Sequence, residues 1–303
     1  MDLSLLEDFL ALAEHRNFSR AAESRNITQP AFSRRIQALE SWVGTPLVVR
    51  AAHGITLNVA GEYIRDHATT LTRDLYAMRG GALKIAGFEG AALSIAATHA
   101  LSLTFFPNLV RPLFPMERLG TLNLVSDTMA ACEQILVSGE ADFLLCHARP
   151  DVPNRLNKGA FTSVRVGTDL LVPVCAPDEH GAARWSLPGS AAKPIRVLAY
   201  TAASGLGRIV EALQRDSSTQ LAQETAFTSP LAAALHTMAR QGLGVAWLPH
   251  SLVEDDIATG RLVLAGGTAG SIAIEVRLFR SIRQQSELAE TFWRAIISGH
   301  QAK

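Results

Sequence analysis

Residues 17–50 read NFSRAAESRNITQPAFSRRIQALESWVGTPLVVR, and this stretch decides the fold. Ser19 stands where a hydroxyl can accept from backbone N–H groups two or three residues on, which opens a short helix. Ala21 and Ala22 follow as good helix formers of little bulk, so a second helix can approach closely. Asn26 tolerates a left-handed backbone and ends that first helix. Thr28 caps the next one, with Pro30 in its first turn, where a missing N–H costs nothing. Ile36 and Leu39 then share one face, while Gln29, Ser33, Arg34 and Gln37 share another. This is the pattern of a helix-turn-helix whose second helix enters a DNA major groove.

The outward face carries the chemistry of base and phosphate contact. Glutamine can pair bidentately with adenine, arginine with guanine or a phosphate, and a serine hydroxyl with either. The same spacing also suits a solvated amphipathic helix. Charge distribution favours the first reading: the chain is formally neutral, yet between Arg16 and Arg50 six arginines, at 16, 20, 25, 34, 35 and 50, face only Glu23 and Glu40. Such a local excess is the footprint of phosphate binding.

On the N-terminal side, Leu3, Leu6, Phe9, Leu10 and Ala13 recur at helical period and complete a three-helix core. On the C-terminal side, residues 47–49 and 55–57 read as two short strands around the turn from Arg50 to Gly54, a wing. From Asn58 to about Arg79 the pattern becomes one long helix, ended by the breaker pair Gly80 and Gly81. Its stripe of Ile64, Ala68, Leu71, Leu75 and Met78 is either core or a seam for a second copy, and the length of the helix favours the seam. Residues 81–90 read as a hinge.

Short apolar strands then alternate with helical runs. The strands are expected at residues 93–98, 121–125, 141–146, 170–175, 195–200, 222–227, 245–248, 262–264 and 272–279. The helices are expected at 102–113, 128–137, 206–215, 231–241 and 287–297. Alternation of this kind implies parallel sheets covered by helices, with a ligand crevice beyond the strand ends. Candidate pocket residues therefore lie at strand ends and the helix starts that follow, where free N–H groups favour an anion. These are His99, Ala100, Ser102, Ser126, Thr128 and His147, and from later in the chain Tyr200, Thr201, Ser204, Thr228, Ser229 and Trp247. Each hydroxyl could equally be a simple helix cap, so convergence carries the argument.

Resemblance sharpens this picture. Phe18, Ala21, Ala22, Thr28, Gln29, Pro30, Ala31, Ser33, Ile36, Leu39, Glu40, Gly44, Leu47, Arg50, Leu57, Ala60 and Gly61 match the pattern of the N-terminal domain of LysR-type transcriptional regulators. IAATHALSLTFFPNLV, SGEADFLLCH, LLVPVCAPDEHG and ARQGLGVAWLPHSLV are similar to the effector-binding region of the same family. Val48, His53 and Asn58 depart from the residues common there; His53 replaces an arginine, and a neutral imidazole holds a phosphate less firmly than a guanidinium. VPVCAPDEHG and GVAWLP are also similar to the branch containing a hypochlorite-responsive regulator. Methionines carry oxidant sensing in that branch, and no methionine here is assigned that role.

The resemblance implies a multidomain protein: an all-α winged helix-turn-helix with a linker helix, then an α/β effector-binding domain of two periplasmic-binding-protein-like subdomains. The expected boundaries are 1–57 for DNA binding, 58–80 for the dimerising helix, 81–90 for the hinge and 91–303 for the effector domain. Within the last, subdomain I takes 91–164 and 268–303, and subdomain II takes 165–267. The DNA-contact set is Ser19, Thr28, Gln29, Pro30, Ser33, Arg34, Arg35, Arg50 and His53. The implied partners are a two-fold symmetric double-stranded DNA operator, a small-molecule effector, RNA polymerase and further copies of the chain, as a dimer or a tetramer.

Length and composition fit. The 303 residues suffice for two or three domains of roughly 100 to 200 residues each. With 48% hydrophobic and 18% charged residues the chain reads as ordinary globular protein. No apolar run reaches the roughly 18 to 20 residues of a membrane span, and the acidic start lacks a basic signal region, so a cytoplasmic protein with no membrane partner is expected. Cys132, Cys146 and Cys175 are too widely spaced for a CxxC pair and are expected as buried thiols. No metal site, cofactor or catalytic residue is expected: GxSxG, HExxH and a glycine-rich phosphate loop are absent. A free-standing solute-binding module and an α/β enzyme are the rival readings.

Overall fold

The computed structural model describes residues 2–51, 54–85, 92–111, 121–152, 156, 159–190, 194–216, 221–266 and 270–301. Contacts divide the chain into two compact units, Met1–Ala86 and Gly87–Lys303.

In the first unit, α1 (Leu3–His15), α2 (Phe18–Ser24) and α3 (Gln29–Val43) pack around Phe9, Leu12, Ala21, Phe32, Ile36 and Leu39, all essentially inaccessible to water. Phe18 meets Phe32 edge to face at 6.1 Å. Asn17, not Ser19, caps α2: its side-chain oxygen accepts from the Arg20 N–H at 3.1 Å, and Ser19 is the second residue of the helix, exposed. Asn26 takes the expected left-handed conformation at φ 55°. Thr28 occupies the cap position of α3, but its hydroxyl makes no capping bond. The antiparallel wing is β1 (Val48–Ala51) and β2 (Gly54–Leu57), with Arg50 opposite Ile55. Glu40 fixes its start by accepting from the Leu47 and Val48 N–H groups, at 2.8 and 3.3 Å.

Helix α4 (Val59–Ile85) departs from expectation by running straight through Gly80 and Gly81. Two glycines cost a helix only about 1 kcal/mol each, which the continuous hydrogen-bond ladder can absorb. Its stripe also divides. Ala68 is buried and Ile64 half-buried in the core of the unit, whereas Leu71 and Met78 are exposed. Of the expected hinge, residues 81–85 are helix and 86–90 lie outside the described residues.

The second unit is built on a seven-stranded sheet. In spatial order it runs β10 (Val263–Leu264), β6 (Phe161–Cys175), β11 (Ile272–Ser281), β5 (Phe143–Ala148), β3 (Ala92–Thr98) and β4 (Thr121–Asp127), with β9 (Ala246–Pro249) also on β6. A separate parallel pair, β7 (Ile195–Tyr200) and β8 (Gln223–Ser229), is bridged to β9's neighbour Val245 through Val197. The sheets are mixed rather than parallel: β3 runs parallel to β4 and β5, but β6, β9, β10 and β11 pair antiparallel. Antiparallel ladders form where strands cross the unit directly instead of returning through a helix. The long β6 and β11 do this, from Ile272 opposite Leu171 to Ser281 opposite Phe161. One half of β6 therefore joins the β3–β5 lobe and the other the β7–β9 lobe, and the expected boundary at 164 and 165 falls inside a continuous strand.

Helices flank both lobes: α5 (His99–Thr104), α6 (Phe106–Val110), α7 (Met129–Ser138), α8 (Gly205–Asp216), α9 (Ala232–Arg240), α10 (His250–Ala258) and α11 (Glu287–Gln301). The single helix expected at 102–113 is two, broken at Phe105 ahead of Pro107, whose ring cannot donate to the preceding turn. Helix α10 has no counterpart in the sequence reading, because its buried face includes Asp256 beside Val253. A charged residue there hides the apolar period.

Candidate functional site

On α3, Thr28, Gln29, Pro30, Arg34 and Gln37 are exposed and Ser33 is half-buried, so the polar face predicted from spacing exists. The arginine excess is smaller than it reads in sequence. Asp8, with no side-chain exposure, accepts from Arg25 Nε at 2.7 Å and Arg35 Nη1 at 3.1 Å, and Glu7 takes Arg25 Nη2 at 2.6 Å. Those acids precede residues 16–50, on α1. Arg35 is thus tied into the domain, although two-fifths of its side chain stays exposed. The backbone of Arg50 is in β1, its side chain is outside the described residues, and so is the whole of His53.

The second unit contains a narrow crevice of about 380 Å³, partly continuous with solvent. Three helix starts bound it: Thr128 and Met129 of α7, Ser204, Gly205 and Leu206 of α8, and Pro230 and Ala232 of α9. Thr98, His99 and Ala100 at the end of β3, Asp127 at the end of β4 and His147 near the end of β5 complete the lining. The helix starts arise locally. Thr128 caps α7 through the Ala131 N–H at 3.3 Å, and Ser204 Oγ accepts from Gly207 N at 3.3 Å. Gly205 packs closely on the start of α7: a Cβ there would lie 3.1 Å from Met129 Cγ, so the methionine side chain would have to give by a few tenths of an ångström.

His147 is 4% exposed, and neither ring nitrogen has a hydrogen-bond partner. Its Nε2 lies 3.7 Å from Oδ2 of Asp169, beyond hydrogen-bond distance. Burial pushes the Asp169 carboxyl up, but the neighbouring imidazole, the Ser251 hydroxyl at 2.6 Å and the Leu170 N–H at 2.7 Å together hold it below its ordinary value. The Thr98 hydroxyl is likewise buried without a partner.

Of the pocket residues expected from sequence, His99, Ala100, Thr128, His147 and Ser204 line the crevice. Ser102 and Ser126 adjoin it: Ser126 Oγ lies 3.0 Å from His99 Nδ1 and 2.8 Å from Ser102 Oγ. Others are elsewhere. Tyr200 and Trp247 are core, the Tyr200 hydroxyl donating to Trp247 O at 2.9 Å and the indole N–H to Gly270 O at 3.2 Å. Ser229 accepts the Leu231 N–H at 3.1 Å, the Thr201 N–H goes to Ser229 O, and Thr228 is exposed on β8. The sequence reading missed Thr98, Asp127, Met129, Gly205, Leu206, Pro230 and Ala232, each within three residues of one it named; adjacency was the available signal.

A second hollow of about 290 Å³ shares Met129, His147 and Gly205 with the crevice and adds Arg149 and Arg208. Arg208 makes a two-pronged pair with the fully buried Glu133, at 2.9 and 3.1 Å. All three cysteines are buried, and burial pushes the Cys132 thiol up to about 12, which suppresses the reactive thiolate.

Comparison with known proteins agrees with this architecture. Residues 3–62 match the model of the bacterial regulatory helix-turn-helix protein, lysR family, and residues 86–301 match the LysR substrate binding domain. The chain is 33% identical to the HTH-type transcriptional regulator YjiE of Escherichia coli K12, over 96% of this chain and 92% of that one. Among solved structures it is similar to full-length HypT of Salmonella typhimurium, a hypochlorite-specific regulator, with 30% identity, TM-score 0.60 and coverage of 100% and 99%. It is also similar to Vibrio fischeri DarR, solved in complex with DNA, with 28% identity, TM-score 0.58 and coverage of 98% of each chain. The chain belongs to the LysR family of DNA-binding transcriptional regulators, proteins that carry a substrate-binding domain for an effector and are not enzymes.

Proposed function

We propose that the regulator reads its operator through α3, with Gln29, Ser33 and Arg34 at base edges and Ser19, Thr28, Pro30, Arg50 and His53 along the backbone. The observation that carries this is the exposed polar row of Gln29, Arg34 and Gln37 opposite the buried Phe32, Ile36 and Leu39. Residues 1–57 form the DNA-binding domain, α4 the dimerising linker and the rest the effector domain. Two copies joined along α4 bind a roughly two-fold symmetric site in the cytoplasm and meet RNA polymerase there; two dimers can form a tetramer.

The crevice between the lobes of the second unit takes a small effector, with His99, Ala100, Thr128, His147 and Ser204 as its contacts. An effector that binds one arrangement of the lobes better than another shifts the regulator by that difference in affinity only. The test combines binding selection of the operator from random DNA with gel shifts. Gln29→Ala and Arg34→Ala should each cost about 1 to 3 kcal/mol on the selected site and relax its sequence preference. Unchanged affinity and preference in both variants would take α3 out of the groove.

A further inference from the structure

Resting on the reading of the crevice as the effector site, we infer that the effector is a small monocarboxylate, held by helix N-termini, hydroxyls and His147 without help from lysine or arginine. Donors dominate the lining. Helices α7, α8 and α9, of ten, twelve and nine residues, all start there and turn the positive ends of their dipoles toward it; the Ala130, Ala131 and Gly207 N–H groups are taken by Ala203 O, Thr128 Oγ1 and Ser204 Oγ, which leaves the first N–H groups of each helix for a ligand. Helix starts alone would not define a ligand. The independent observation is His147, buried with neither ring nitrogen in a hydrogen bond and only Asp169 near its Nε2, at 3.7 Å, together with the Thr98 hydroxyl, buried and likewise without a hydrogen bond. Buried polar groups normally find a partner, and leaving one unsatisfied is costly. In this crevice the missing partner is the ligand.

The sign and size of the ligand's charge follow from the charged groups around it. Among the described residues no lysine or arginine lines the crevice. The arginines of the adjoining hollow face carboxylates already, Arg208 with Glu133 and Arg149 with Asp151 at 2.7 Å. The acidic groups are Asp127, which accepts the Thr128 N–H at 2.6 Å, and Asp169 behind His147. One negative charge is favoured by the dipole ends; a second would meet these two carboxylates with no cation among the described lining residues to offset it. Donors come from β3, β5 and three helices on different walls, so the acceptor needs several lone pairs spread over more than one atom. A carboxylate has two oxygens and about four acceptor sites, which a halide lacks.

The full-length protein is titrated calorimetrically, at constant ionic strength, with monocarboxylates of two to six carbons, the amide of each, sulfate and bromide. At least one acid should bind saturably, its amide at least tenfold more weakly, and sulfate and bromide more weakly still. His147→Phe and Thr98→Val should each weaken the acid by about tenfold, the usual scale for a hydrogen bond to a charged group, and Thr98→Ser should restore it. Thermal melts of each variant identify any that fail to fold, and the Thr98 pair keeps the test open if His147→Phe does. An amide that binds as tightly as its acid in a His147-dependent manner would keep the crevice as the site and overturn the carboxylate. Tighter sulfate or bromide would overturn it too, as would no binding by any acid. Acid binding that neither variant weakens would remove the crevice itself.

Discussion

Arg35 Nη1 lies 3.1 Å from Oδ2 of Asp8, a carboxylate that water does not reach. Its neighbour Arg34 is exposed on the same helix, so two adjacent arginines have separate tasks. Arg35→Ala leaves the buried Asp8 with Arg25 alone and should cost about 1 to 3 kcal/mol of stability in the DNA-binding domain. Arg34→Ala should leave stability within about 0.5 kcal/mol, as surface substitutions do, while weakening operator binding. Urea unfolding and gel shifts on both variants decide it. Equal stability of the two would make the Asp8 to Arg35 contact incidental, and an unweakened Arg34→Ala would make that residue a solvated side chain.

This pair also shows how far sequence reasoning reaches. The helix-turn-helix was legible because its signals are local: alanines, Asn26 at positive φ, Pro30 and a helical apolar period. The tie of Arg35 to Asp8 was not legible because that partner lies 27 positions away, on α1, where no local rule places it. The crevice divides in the same way. Thr128 and Ser204 follow from strand-to-helix junctions, whereas Tyr200 and Trp247 sit at similar junctions yet point into the core. Side-chain direction there is set by packing between elements, which alternation along the chain does not encode. The antiparallel part of the sheet was missed for a related reason, since β6 and β11 pair across more than a hundred residues.

Association through α4 is testable without disturbing the fold. Leu71 and Met78 are 47% and 66% exposed, while Ala68 on the same helix is buried within the unit. Leu71→Asp combined with Met78→Asp should therefore leave the melting temperature of the DNA-binding domain nearly unchanged. Two carboxylates in an apolar seam should nevertheless abolish pairing, because desolvating unpaired charge costs several kcal/mol. Sedimentation should show the smaller species, and operator affinity should fall with it. An unaltered mass and affinity would place the seam elsewhere.

The acid limb of stability should bear the mark of Glu290. Arg280 donates to both of its oxygens, at 2.9 and 2.6 Å, and with the Gln285 N–H at 3.0 Å holds the carboxyl at about 2, against 4.5 ordinarily. A group depressed in the folded state contributes stability that is full above its unfolded value. That contribution is lost as pH falls from about 4.5 through about 2. Glu290→Gln should be less stable than wild type at neutral pH, and the gap should close across this window. Melts of both proteins between pH 7 and 2 measure it; a gap constant over that range would show that the pair is not linked to the proton.

Glu133 and Arg208 make a contact between α7 and α8, and hence between the two lobes that bound the crevice. Beside it the Ala130 N–H reaches Ala203 O at 3.2 Å. Glu133 has no exposure and Arg208 keeps a quarter of its side chain in solvent, so the two ends are not equivalent. Arg208→Ala strands a buried carboxylate and should destabilise the second unit by about 3 to 5 kcal/mol. Glu133→Leu frees an arginine that can turn to water and should cost less. Glu133→Leu with Arg208→Met replaces the pair by apolar groups of similar volume and should recover most of the loss, since a buried ion pair is often no better than its hydrophobic substitute. The double variant then separates stability from coupling. If the pair sets the angle between the lobes, operator binding in the folded double variant should respond less to whichever acid binds the crevice. A full response in that variant would reduce Glu133 and Arg208 to a packing contact.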